Sequence, residues 1–102
     1  MKSPTDFFRI VDRKRYDVKT ATLIAHDAYW DGHNFERSGR NEFLYRTPKG
    51  NFFTVNLTCW QGERDTLEPI TQDEAIELFE DSLTEHEVKY SEAFPGVELK
   101  DA

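Results

Sequence analysis

Hydrophobic and polar positions alternate most clearly between Glu42 and Trp60 (EFLYRTPKGNFFTVNLTCW). The alternation predicts two strands joined by a tight turn at Thr47-Pro48-Lys49-Gly50. Pro48 supplies the fixed φ of a type I turn, and Gly50 stands where a positive φ closes the hairpin with a bulge. In the second strand Phe53, Val55, Leu57 and Cys59 share the face expected to be core. Phe52, Thr54, Asn56, Thr58 and Trp60 share the other. Upstream, Asp17 to Trp30 (DVKTATLIAHDAYW) is β-branched and apolar on both alternating sets, which predicts one long strand, either central in its sheet or covered on both sides.

A different period begins at Thr71. Thr71-Gln72-Asp73-Glu74 reads as a capping box, with Ile70 placed to staple onto Ala75. Ala75, Ile76, Phe79 and Leu83 then form a stripe at helical spacing, so the helix is expected to run to about Leu83. Glu85 to Phe94 suggests a second, shorter helix anchored by Val88, Tyr90 and Phe94 and stopped by Pro95-Gly96. Gln61 to Ile70 reads as a charged loop. Residues 1–16 read as a short helix or an irregular lead, with residues 1–6 and 97–102 as loose ends. Together these elements predict one α+β domain: a small three-stranded, mostly antiparallel sheet with one capped helix packed on it and a short C-terminal helix.

Composition narrows this picture. The chain has 102 residues, a length suited to a single modest core. Eight Phe, four Tyr and two Trp concentrate the burial in a few large rings, which argues against long disorder. One cysteine, Cys59, excludes an intrachain disulfide and a cysteine-based zinc cage and fits a reducing cytoplasm. Neither a membrane-spanning run nor a signal-peptide pattern is present in the sequence.

Charge changes the picture further. The net charge is −7, and it is polarised: residues 1–50 sum to +3 and residues 51–102 to −10. Such a balance disfavours general nucleic-acid binding and favours basic protein surfaces. Asp73, Glu77, Glu80 and Asp81 fall on one predicted helix face, and Glu85, Glu87 and Glu92 continue the run. Acids so close at helical spacing destabilise the helix, and those near its C-terminal end also oppose its dipole. The face is therefore a docking surface for a partner with a basic surface, such as a nucleic-acid enzyme, or a solvated face, or one neutralised by Arg13, Lys14 and Arg15. The loop Asp31 to Asn41 and the large rings Phe35 and Trp60 offer another partner-binding surface. Arg9, Arg13, Lys14 and Arg15, with the aromatic sheet face, are the residues a nucleic-acid-binding alternative would use.

Catalytic patterns are absent from the sequence. Cys59 is expected buried and inert, and its spacing to His26 selects no pair. The serines lack a nucleophile elbow. His26, His33 and His86 lack metal-ligand spacing, and Asp27, Asp31 and His33 read as turn residues rather than ligands. The five glycines are scattered, so no phosphate loop is formed. These features predict a non-enzymatic domain that needs no cofactor or metal. An edge strand leaves pairing into a homodimer open.

Lys14-Arg15-Tyr16-Asp17 with Thr20-Ala21, then Leu44-Tyr45-Arg46 and Gly50-Asn51-Phe52-Phe53, then Ile70-Thr71 with Glu74-Ala75, stand in an order that resembles small bacterial proteins of uncharacterised role, often encoded on phages, plasmids and other mobile elements. The resemblance spans about Lys14 to Leu83. It departs at Leu57-Thr58-Cys59-Trp60, where many such proteins carry a glycine-rich segment. It implies a setting, an accessory protein acting on a host system, for instance against its defences. It carries over no catalytic residue.

Overall fold

The computed structural model describes residues 3–28 and 40–101. Its order is β1 (Phe8–Val11), β2 (Lys14–Asp17), β3 (Thr22–His26), β4 (Arg40–Arg46), β5 (Phe52–Thr58), β6 (Thr66–Ile70), α1 (Gln72–Glu77) running into a π-helical segment (Leu78–Ser82), β7 (Glu85–His86) and α2 (Tyr90–Ala93). The expected three-stranded sheet with one capped helix is therefore corrected. Among the described residues the protein is mainly β, with a two-stranded sheet β1-β2, a five-stranded antiparallel sheet in the order β6-β5-β4-β3-β7, and only two short α-helices.

Each departure has a local cause. The expected long strand breaks at Asp17, whose carboxylate accepts the Lys19 amide at 2.9 Å while its carbonyl accepts the Ala21 amide at 3.2 Å. This side-chain turn divides β2 from β3. The cationic run before it is not a helix or an irregular lead but a hairpin. Asp12 and Arg13, its two turn residues, both take positive φ, 57° and 64°, as the twist of a two-residue hairpin requires. The charged stretch after β5 hides β6, where Leu67 is buried and Glu68 exposed. Pro69 is tolerated because β6 is an edge strand.

The β4–β5 hairpin closes as its turn chemistry dictates. Gly50 has φ 87°, its amide donates to the Thr47 carbonyl at 2.9 Å, and the Asn51 amide donates to Thr47 Oγ1 at 3.0 Å. The paired strands place Phe43 opposite Val55 and Tyr45 opposite Phe53. These side chains join Tyr16, Val18 and Leu67 in one core cluster, under the β1-β2 hairpin. Leu44 and Phe52, on the alternate face, join Ile24, Ala75, Phe79, Leu83 and Phe94 in the other. Both faces of the sheet are thus covered, which accounts for large rings on both alternating sets of β5. The face carrying Phe52 is core as well as the face carrying Phe53.

Cys59 lies beyond the end of β5 and is exposed, so its expected burial is also corrected. In the C-terminal segment read as a loose end, Leu99 is exposed, whereas Val97 packs against the helix-side core.

Candidate partner-docking cleft

The acidic helix is anchored at its start by the anticipated capping box. Thr71 Oγ1 accepts the Glu74 amide at 3.2 Å, and Glu74 Oε1 accepts the Thr71 amide at 3.1 Å. Ile70 and Ala75 pack in the same core cluster, as a staple would place them. Asp73 and Glu74 in the first turn face the positive end of the dipole, while no basic residue occupies the last turn. After Glu77 the backbone widens: the Leu83 amide donates to the Leu78 carbonyl at 2.9 Å, the five-residue spacing of a π-turn. The wider turn rotates Glu80 and Asp81 away from the strict α-helical positions the sequence spacing assigns them.

Between this helical segment and the polar end of the sheet lies an open cleft of about 580 Å³. Its acidic wall is Glu42 from β4 together with Glu74, Glu77, Glu80 and Asp81, and no Lys or Arg lines it. Of the acidic residues read from sequence, Glu77, Glu80 and Asp81 are brought together here. Asp73 is exposed on the same helix but does not line the cleft. Burial, and then the neighbouring Glu80 carboxylate, push the Tyr90 pKa up.

Glu42 and Glu74 were missed as members. Glu74 reads from sequence as a capping residue, and Glu42 enters only because the β4 register turns it toward α1. Burial, and then the nearby Asp27 carboxylate, raise the Glu42 pKa. Asp27 accepts the Glu42 amide at 2.9 Å and the Asn41 side-chain amide at 3.2 Å. Because the folded-state pKa of Glu42 lies above its unfolded value, the folded protein holds the extra proton. Stability contributed by that proton is present at low pH and lost as pH rises through the raised value. Glu42→Gln is therefore expected to raise Tm by roughly 2–4 °C at neutral pH and by nothing near pH 3. Thermal unfolding followed by circular dichroism at both pH values checks it.

The N-terminal cations do not neutralise this wall. Arg9 donates to Glu68 at 3.0 Å and to the Leu67 carbonyl at 2.8 Å. Arg15 pairs with Asp17 at 3.1 Å and lies 4.4 Å from the Phe8 ring centre. Arg13, Lys14 and Arg15 line a groove between the β1–β2 and β4–β5 turns. Their hairpin packs on the sheet face opposite α1.

Trp60 is half exposed, with the Arg40 guanidinium 6.0 Å from its ring. Arg40 forks onto Glu63, a contact that holds the Glu63 carboxyl below the ordinary range. Phe35 lies outside the described residues, as do Asp31 and His33, so the partner loop read from sequence is represented here only by its flanks.

The groups weighed for chemistry are spoken for or apart. His26 stacks on Phe43 and accepts the Ala28 amide through Nδ1 at 3.1 Å. The sheet register sets it opposite Phe43, far along β5 from Cys59. His86 stacks on Phe79 with ring centres 3.8 Å apart and donates through Nε2 to the Phe79 carbonyl at 2.7 Å. Among the described residues no three His, Cys, Asp or Glu side chains gather as metal ligands. No helix among them is long and apolar enough to cross a membrane.

Comparison with protein-family models, with curated proteins and with solved structures gives no match.

Proposed function

We propose that this chain is a non-enzymatic interaction module that docks on a basic protein surface through the acidic wall of the α1 cleft. The observation that supports this most is the composition of that wall: five carboxylates converge and no cation lines the cleft with them. Gathering like charges in one place costs folding free energy, and a cationic partner would offset that cost. The sequence resemblance to proteins of mobile elements suggests a specific form, an inhibitor that occupies the basic nucleic-acid site of a host nuclease by presenting charge as a phosphate backbone does. Such a partner would sit in the same compartment, the cytoplasm.

The test is a nuclease-treated pull-down from host lysate with stepwise salt elution, run with the protein and with Glu77→Lys, Glu80→Lys and Asp81→Lys combined. All three side chains are exposed, so the variant is expected to keep its circular dichroism spectrum. The expected outcome is a nucleic-acid enzyme released at modest salt from the protein and bound at least about 100-fold more weakly by the variant. Retention of the same partner by a folded variant would sink the reading.

A further inference from the structure

The opposite end of the charge distribution forms a second site. The β1–β2 and β4–β5 turns converge on a groove of about 420 Å³. Four cations line it, Arg13, Lys14, Arg15 and Lys49, with the hydroxyl-bearing Thr20 and Thr47 between them. Its remaining lining is uncharged, so no carboxylate faces the cations across the groove. Arg15 is held by Asp17, but Arg13, Lys14 and Lys49 have no ion pair among the described residues.

An apolar surface adjoins it. Phe8 and Ile10 are 51% and 65% exposed on β1. In the hairpin register Ile10 lies opposite Arg15, whose guanidinium covers the Phe8 ring at 4.4 Å. Arg15 thus belongs both to the groove and to an exposed aromatic platform. Cations spaced along a groove beside an exposed ring are the elements of single-strand binding: charge tracks the phosphates while the ring stacks an unpaired base.

We propose that this groove binds the phosphodiester backbone of a single-stranded nucleic acid, with Phe8 stacking a base. The net charge of the chain does not decide the matter. The acidic wall lies on the other face of the sheet, and charges beyond about 8–10 Å are screened at physiological salt. A phosphate in the groove meets a lining that presents Arg13, Lys14 and Lys49 and no carboxylate, the nearby Asp17 being taken up by Arg15. This site is independent of the acidic cleft, and each can fail without the other.

The test is fluorescence anisotropy of the full chain with a short fluorescein-labelled oligothymidylate, starting at about 50 mM NaCl. Saturable binding is expected, with a log–log salt slope of about −2 for three phosphate contacts to a single strand. Lys14→Glu with Lys49→Glu should weaken it by at least about tenfold. Lys89→Glu with Lys100→Glu makes the same charge change on exposed residues away from the groove and should leave the oligonucleotide affinity within about twofold. Phe8→Ser should weaken binding at least about fivefold while leaving the salt slope unchanged. Three results would each overturn the proposal: no saturable binding, equal weakening by the two lysine pairs, or equal affinity for a duplex of the same sequence length.

Discussion

Phe53→Ala is expected to destabilise the protein by about 3–5 kcal/mol, the range found when a fully buried aromatic side chain is truncated in a core. Phe53 is completely buried at the centre of β5. Its ring stacks on Tyr45, with centres 5.1 Å apart and planes 8° apart, and meets Tyr16 edge-on at 5.8 Å. Tyr16 belongs to β2, so the same ring that fills the sheet also fastens the β1–β2 hairpin to it. Domains of this size are stable by only about 5–15 kcal/mol, so the loss is a large share of the total. Urea unfolding should show a fall in midpoint with little change in slope. A second readout is specific to this packing. Burial pushes the Tyr45 phenol up to about 12. Opening the space beside it should move its titration back toward the ordinary tyrosine value, visible in ultraviolet absorbance where the variant remains folded. Phe53→Leu keeps most of the volume and should cost less than half as much. A loss below about 1 kcal/mol for the alanine variant would contradict the packing described.

The elements that sequence reasoning reached are those with strong local chemistry. The β4–β5 hairpin follows from Pro48, Gly50 and alternation, and the start of α1 follows from Thr71 and Glu74. What it missed depends on partners distant in sequence. The segment Thr66-Leu67-Glu68-Pro69-Ile70 carries a proline and an exposed acid, and it becomes a strand only because β5 offers it an edge. Glu85-His86 is too short to signal a strand and is fixed by pairing with Ala25 and His26. The cationic run at Arg13 to Arg15 hides a hairpin, since its turn residues, Asp12 and Arg13, lack the glycine that usually announces positive φ. The candidate sites divide in the same way. The helix period brought out Glu77, Glu80 and Asp81, while Glu42 and Lys49 join the cleft and the groove only through tertiary placement.

Phe94→Ala is expected to cost a similar 3–5 kcal/mol, but to express it on the other face of the sheet. Phe94 is completely buried just past α2. Its ring lies 5.4 Å from Phe52, 5.5 Å from Phe79 and 5.2 Å from Tyr90. The four residues of α2 are far too few to be helical alone, so their conformation depends on this burial. The same ring braces Phe79, on which His86 of β7 stacks. Removing it should therefore loosen α2 and β7 together and uncover the β3 edge. Hydrogen exchange reads this directly: the Glu87 amide, which donates to the Ile24 carbonyl at 3.0 Å, should lose protection well before the β4–β5 amides do. The β1–β2 hairpin, packed on the other cluster, should keep the relative protection that Phe53→Ala removes. Leu99→Ala, in the exposed tail, should change stability by no more than about 0.5 kcal/mol. Uniform loss of protection across both faces in the Phe94 variant would mean that the two cores unfold as one unit, and the separation into two packed faces would then be structural without being energetic.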